Sequence, residues 1–178
     1  ENLRLHKTND SLLNLRPSNF LAIDTAQSVV QDSIPYDTLG SLRRYMWRDA
    51  QVISNSVRFD KNYIQLNRGS VQGIKDNMAV ISTDLYAVGV VVNVSDNFSQ
   101  IMSLLHVQSQ VSSSLKRTGE IGNLSWKSKD PRYLTLTEIP QNVEVKKGDT
   151  VVTSRYSDKF PPGYMVGTVD DIAVEKST

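Results

Sequence analysis

The sequence has no cysteine, and its two histidines, His6 and His106, lie far apart without a cluster of carboxylates near either. A transition-metal site needs several such ligands close together, so no metal site is predicted. The glycines never form GxxxxGK[ST] or GxGxxG, the patterns that cradle phosphates. We therefore expect no metal and no cofactor. The absence of cysteine also suits an oxidising compartment, where stray thiols would cross-link.

The sequence also lacks an excess of one charge and any long apolar run. Lys and Arg number 20 and Asp and Glu number 19, which gives a net charge of +1. Such a chain has no field that would gather nucleic acid, so nucleic-acid binding is not predicted. No apolar run approaches the length that spans a bilayer, and no signal peptide is present. Because the chain starts at Glu1 without a methionine, we expect a soluble portion whose membrane anchor lies upstream.

The first forty residues are predicted to form a helix and a linker. Residues 1–16 carry a heptad pattern and are followed by Pro17, which ends a helix. Residues 17–42 are rich in Asp, Ser and Thr and are predicted as a linker. We predict the end of a coiled coil that self-associates, whereas the alternative is an amphipathic helix lying on the domain. The predicted seam consists of Leu5, Thr8, Leu12 and Leu15.

The remainder of the chain has the pattern of an all-β protein. Short runs rich in Val and Ile, separated by Gly, Asp, Asn and Ser, indicate a barrel or a sandwich. The predicted strands are Asp49–Ser54, Asn62–Asn67, Met78–Ser82, Ala87–Ser95, Gln100–His106, Val111–Arg117, Glu120–Trp126, Tyr133–Ile139, Thr150–Ser154 and Tyr164–Val174.

One turn–strand–loop–strand pattern occurs twice. Residues 74–83, IKDNMAVIST, align without gaps with residues 145–154, VKKGDTVVTS. Val88-Gly89-Val90-Val91 then corresponds to Val166-Gly167-Thr168-Val169, so the second loop is longer than the first. A repeat of this kind predicts two related β units. The turn residues Asp76, Asp149, Lys146 and Lys147 are interpreted as solvated.

The sequence contains the residue types of a serine-protease triad but not the motif that would make them catalytic. Ser154 follows an apolar strand, and His106 could act as its base with Asp84 or Asp96 as the third group. The serine lies in TSRYS, however, which lacks the glycines that expose a nucleophile and build an oxyanion hole. We therefore predict no enzyme and no catalytic residue.

The loop SRYSDKFPPGY is unusually apolar for a surface segment. Its rigid aromatic and proline side chains suit a protein interface. The alternative is that they cover the open end of a barrel. The predicted interface residues are Tyr156, Phe160, Pro161, Pro162 and Tyr164.

These motifs together resemble the MreC family of bacterial rod-shape-determining proteins. GSVQGIKDNMAVIS, AVGVVVNVS and GDTVVTS…FPPGYMVGTV follow the family's order over residues 43–172. Arg155 stands where the family pattern T-S-G has glycine, so we expect this turn to differ.

The resemblance implies two small β-barrels arranged like those of chymotrypsin-type proteases without their catalytic residues, after a short coiled-coil helix. From the repeat we expect residues 71–140 to form one barrel and residues 43–70 plus 141–178 to form the other. A sequential division near residue 130 is the alternative. We also expect that the second barrel is incomplete or completed by another chain.

The implied function is a non-enzymatic scaffold of the cell-wall elongation machinery that maintains rod shape. Its implied partners are a class B penicillin-binding transpeptidase, MreD, the MreB system and further copies of itself, as a homodimer or higher assembly. Its implied location is outside the cytoplasmic membrane, in the periplasm, anchored by an upstream helix. The alternatives are a periplasmic adaptor of a secretion or efflux system and, as an enzyme, a trypsin-like serine protease.

Overall fold

The computed structural model describes residues 8, 11–15, 20–21, 42–43, 45–127 and 130–173. Along the chain, the first unit ends at Ala50 and the second begins at Gln51. In the first unit, Thr8 and residues 11–14 are α-helical. Strands β1 (Phe20–Leu21) and β2 (Leu42–Arg43) pair antiparallel, although the linker prediction placed no strand there. The Asn14 side chain accepts from the Trp47 N–H at 2.7 Å and donates to the Trp47 carbonyl at 3.2 Å.

The second unit is all-β, as predicted. A strand lies at each of the ten predicted positions, and the strand bounds differ from the prediction by up to three residues at each end, except that the last strand ends at Thr168 and not at Val174. The strands are β3 (Val52–Asn55), β4 (Tyr63–Leu66), β5 (Ala79–Ile81), β6 (Ala87–Val94), β7 (Ser99–Ser103), β8 (Gln110–Leu115), β9 (Ile121–Ser125), β10 (Thr135–Thr137), β11 (Thr150–Thr153) and β12 (Met165–Thr168). A short 3₁₀ turn at Ser70–Gln72 connects β4 towards β5.

These strands form two five-stranded antiparallel sheets. Sheet one has the order β3-β4-β7-β6-β5, and sheet two has the order β10-β9-β8-β11-β12. The predicted grouping of residues 43–70 with 141–178 is therefore wrong for the described strands, because β4 pairs with β7 and β11 pairs with β8. The chain instead divides sequentially, between β7 and β8, and not near residue 130.

Packing of the apolar side chains explains this division. Ile64 of β4 lies opposite Ile101 of β7, which lies opposite Val91 of β6, and all three belong to one buried cluster inside sheet one. A second buried cluster joins the two sheets. It contains Ala87, Val90 and Leu104 from the first half and Val111, Leu124 and Phe160 from the second.

The predicted repeat is confirmed in the backbone pairing of hairpins β5–β6 and β11–β12. Each cross-hairpin contact of the first copy recurs at the equivalent position of the second, including the bulge that follows. Val80 lies opposite Gly89 in the first copy, as Val151 lies opposite Gly167 in the second. The Asn77 N–H donates to the Val91 carbonyl at 2.9 Å, as the Gly148 N–H donates to the Val169 carbonyl at 2.7 Å. The Ser82 N–H donates to the Tyr86 carbonyl, as the Thr153 N–H donates to the Tyr164 carbonyl, both at 2.8 Å.

Both copies also bend at the same two positions. Asn77 and Leu85 have φ of 64° and 65°, and their counterparts Gly148 and Gly163 have φ of 89° and 88°. Because glycine enters this left-handed region without strain, the second copy uses the residue type that the backbone favours. The hairpin geometry is thus common to both copies, although most of the side chains differ.

In the described part of the chain, no helix combines the length and the apolar character that crossing a membrane requires.

Candidate functional site

The residues of the hypothetical Ser–His–Asp triad do not form a catalytic site. Ser154 is buried, and its hydroxyl lies 2.7 Å from the hydroxyl of Ser112 and accepts the Tyr156 N–H at 3.1 Å. His106 is fully buried, with Nε2 3.2 Å from the Tyr63 hydroxyl and Nδ1 accepting the Gln108 N–H at 3.0 Å. The hydrogen bonds of His106 therefore hold the connection between β7 and β8, and those of Ser154 hold the end of β11 against β8.

Burial, together with the positive charge of Lys61, lowers the pKa of His106. The uncharged imidazole is the form that accepts at Nδ1 and donates from Nε2 to Tyr63, so the lowered pKa agrees with the hydrogen bonds. Among the residues that the structure describes, no three His, Cys, Asp or Glu side chains form a group that could hold a metal ion.

Asp149 is not the solvated turn residue that its sequence context predicted. Its carboxylate accepts two hydrogen bonds from Arg117, both at 2.8 Å, and the Lys146 N–H at 2.8 Å. These contacts, the Arg117 hydrogen bonds first, lower the pKa of Asp149 to about 2. The pair ties the turn before β11 to the end of β8, while Asp76, Lys146 and Lys147 are exposed.

The predicted interface in the β11–β12 loop is mostly internal. Phe160 is 2 % exposed and packs in the cluster that joins the sheets, and Pro161 and Tyr164 are buried as well. The Thr153 hydroxyl donates to the Pro161 carbonyl at 2.6 Å, which holds the loop against its strand. As interface residues these three were wrongly predicted, because aromatic content alone does not distinguish an outward ring from an inward one. Tyr156 and Pro162 are exposed.

Tyr156 is accompanied by Arg155, whose guanidinium carbon lies 5.1 Å from the centre of the tyrosine ring. In the β9–β10 loop Arg132 lies in the same way over Tyr133, at 5.4 Å. Both distances are within the range of a cation–π contact. Arg155 is not among the described residues with positive φ, so the glycine of the family pattern is not required at this turn.

Both loops leave sheet two at the same end. Ser125 at the end of β9 lies opposite Gln110 at the start of β8, and the Ser154 N–H donates to the Ser112 carbonyl of that strand. Arg132 and Tyr133 come just before β10, and Arg155 and Tyr156 come just after β11, so the two pairs leave the sheet three strand spacings apart, about 14 Å. We call this region, made of Arg132, Tyr133, Arg155 and Tyr156, the arginine–tyrosine end.

Sequence reasoning missed a second exposed apolar surface, on sheet one. All four residues of the edge strand β3 are exposed, with Val52 60 % and Ile53 52 % accessible, and Phe59 in the next loop is 67 % accessible. Val and Ile side by side point to opposite faces of a strand, but Val90 and Val91 in β6 are adjacent in the same way and are both buried. The adjacency alone therefore did not identify this surface in the sequence.

The predicted coiled-coil seam is only partly described. Thr8, Leu12 and Leu15 are exposed, whereas Leu5 lies outside the described residues. The seam therefore stays a prediction.

The comparisons with known proteins point to one family. The family model "Rod shape-determining protein MreC, barrel core" matches residues 52–178. The cell shape-determining protein MreC of Listeria monocytogenes is 28% identical over 143 residues, which is 79% of this chain and 48% of that protein. The chain thus spans about half the length of this relative.

Solved structures agree with this match. MreC from Listeria monocytogenes has a TM-score of 0.64 at 27% identity, covering 71% of this chain and 61% of that one. The major periplasmic domain from the cell shape-determining filament MreC has a TM-score of 0.57 at 23% identity, with 72% and 78% covered. The complex between Penicillin-Binding Protein (PBP2) and MreC from Helicobacter pylori has a TM-score of 0.53 at 19% identity, with 68% and 75% covered.

Proposed function

Because the chain belongs to the MreC family of rod shape-determining proteins, we propose that it is a non-enzymatic scaffold of the cell-wall elongation machinery. The family match over residues 52–178 is the observation that carries the proposal. In this proposal each five-stranded sheet belongs to a small barrel, in an arrangement like that of chymotrypsin-type proteases. The structural hydrogen bonds of His106 and Ser154 support a binding role, because neither side chain is positioned as a base or a nucleophile.

A class B penicillin-binding transpeptidase is the proposed principal partner. The support is the Helicobacter pylori complex, in which a protein of the same fold is bound to a penicillin-binding protein. MreD and the MreB system complete the proposed assembly. The exposed tyrosines on the loops of sheet two, Tyr133 and Tyr156, are of a residue type that forms the centre of protein interfaces.

The proposed location is the periplasmic side of the cytoplasmic membrane, with an anchor upstream of this chain. The similar structure with a TM-score of 0.57 is the major periplasmic domain from the cell shape-determining filament MreC. Its periplasmic location and its filament both support a self-assembling extracytoplasmic scaffold. The homodimer is proposed to form through the predicted coiled-coil segment, residues 1–16, which includes Leu12 and Leu15.

The test combines capture of partners with cell shape. The 178-residue chain, immobilised, is incubated with detergent-solubilised membranes of its host, and the retained proteins are identified by mass spectrometry. We expect enrichment of a class B penicillin-binding protein, and rounding of rod-shaped cells when the protein is depleted. Retention of a tripartite efflux or secretion complex instead, with cell shape unchanged on depletion, would contradict the scaffold and favour the adaptor.

A further inference from the structure

We infer that the arginine–tyrosine end is the docking surface for an acidic face of the penicillin-binding protein. The inference rests on the proposed function and adds to it the surface and the chemistry of the contact.

The first argument is exposure of the right residue types. Tyr156 is 66 % exposed, Tyr133 is also exposed, and the Arg132 side chain is 75 % accessible. Tyrosine and arginine are the side chains that most often dominate binding energy when a partner removes them from water. The two pairs therefore offer a partner two separate arginine–tyrosine contacts at one end of sheet two.

The second argument is that the described parts of both loops are held by hydrogen bonds before a partner arrives. In the β9–β10 loop, the Asp130 carboxylate accepts hydrogen bonds from Arg132 Nε and Nη2 at 2.7–3.2 Å, and the buried Trp126 ring donates to the Asp130 carbonyl at 3.1 Å. In the β11–β12 loop, the Phe160 N–H donates to the Ser157 hydroxyl at 3.0 Å beside the buried phenylalanine ring. Pre-ordered loops lose little conformational entropy on binding.

The third argument is charge. The described residues of the two loops include four basic and two acidic side chains, whereas the whole chain has a net charge of only +1. Asp130 and Arg132 are paired with each other, so their charges cancel. The remaining charged members are Lys127, Arg155 and Lys159 on the basic side and Asp158 on the acidic side. A locally basic surface favours an acidic partner face and speeds the encounter with it.

The test is a binding titration of the 178-residue chain with the extracytoplasmic part of the host's class B penicillin-binding protein. Arg155→Glu and Tyr156→Ala are each expected to weaken binding by about 30-fold, the usual loss when a hot-spot residue is removed. Arg155→Lys keeps the charge but not the planar guanidinium and should lose less. Phe59→Ala, an equally exposed aromatic of sheet one, is the matched control and should bind like the parent.

Added salt separates the charge contribution from the aromatic one. The affinity of the parent should fall between about 50 and about 300 mM NaCl, and that of Arg155→Glu should fall less. Unchanged thermal midpoints would establish that the variants fold. If the parent binds and both variants bind as tightly, or if Phe59→Ala is the variant that loses affinity, the inference is wrong while the proposed function stands. If the parent itself does not bind, the proposed function fails and the surface fails with it.

Discussion

At the scale of single residues, Phe160 is expected to stabilise the fold and not to bind a partner. Its ring is 2 % exposed among Val111, Leu124 and side chains of sheet one. Phe160→Ala would leave a cavity there, and such truncations lower the free energy of unfolding by about 3–5 kcal/mol. Tyr156→Ala, four positions away and exposed, should lower it by less than about 1 kcal/mol.

Urea unfolding of both variants measures this difference. If Phe160→Ala lowers the free energy of unfolding as little as Tyr156→Ala does, the internal role of the Phe160 ring is contradicted and the ring is a surface aromatic. Sequence alone could not assign these roles, because both residues are aromatic members of one loop. Only the pairing of the loop with Thr153 directs one ring inwards and leaves the other outside.

The Arg117–Asp149 pair should give the protein a distinct acid sensitivity. The pKa of Asp149 in the folded protein is about 2, below its ordinary value of 3.8. The unfolded chain therefore binds the proton first, and the stabilisation is fully present above pH 3.8 and is lost as the pH falls towards 2. We expect the free energy of unfolding of the parent to exceed that of Asp149→Asn above pH 4 and to approach it near pH 2.

Urea midpoints of the parent and Asp149→Asn across this pH range test the linkage. Asp130, whose pKa is also about 2, is present in both proteins and so cancels in the comparison. A difference between the two proteins that does not change with pH would mean that the charge of Asp149 contributes nothing.

At the scale of elements, the two repeated hairpins have a glycine at the equivalent position, Gly89 and Gly167, but the space around the two glycines differs. Gly89 lies in β6, which is paired on both sides, and a Cβ placed there would come within 2.8 Å of Ile101 Cγ2 and closer still to the Met102 carbonyl oxygen. Its counterpart Gly167 lies in the edge strand β12, where nothing lies within 4 Å of such a Cβ.

Alanine substitution at each position tests whether the surrounding atoms or the hairpin itself requires the glycine. Gly89→Ala should destabilise by about 1–3 kcal/mol or more, because the overpacked strand must move away from β7. Gly167→Ala should change the free energy of unfolding by less than about 0.5 kcal/mol. Thermal unfolding of the two variants measures the difference, and equal effects would show that the motif, and not its neighbours, requires the glycine.

The elements themselves were largely predictable from the sequence. Runs of Val and Ile bounded by turn residues correspond to all ten strands of the second unit, and the repeat correctly indicated two equivalent hairpins. Strand partners were not predictable in the same way. Hairpin β5–β6 joins its sheet through β6, whereas hairpin β11–β12 joins through β11, and no local pattern distinguishes these outcomes.

At the scale of the whole molecule, the predicted domain division failed for a related reason. It assumed that each repeat copy opens a new barrel, which placed the first strands with the last ones. The structure shows that each copy joins a sheet already begun: β3 and β4 precede the first copy and β7 follows it, and β8 to β10 precede the second copy. Pairing of Ile64 with Ile101, two apolar residues distant in sequence, decides this.

Self-association is the property of the whole molecule that follows from its exposed apolar residues. Leu12 is 60 % and Leu15 is 69 % exposed on the helical segment, and a coiled-coil seam would cover both. Two heptads are marginal, because isolated helices shorter than about 12–15 residues barely form in water. We therefore expect weak dimerisation of the 178-residue chain, detectable by sedimentation equilibrium above micromolar protein.

Leu12→Asp should abolish this dimer. It places two carboxylates face to face in the seam, and burying unpaired charge costs several kcal/mol. His6→Asp adds the same charge at heptad position b and should leave the dimer intact, because b is not one of the seam positions a and d or the flanking positions e and g. The edge strand β3 offers the competing explanation, because exposed apolar edges pair with one another and a lysine on the edge prevents it. If Leu12→Asp sediments like the parent while Ile53→Lys becomes monomeric, the sheet and not the helix joins the copies.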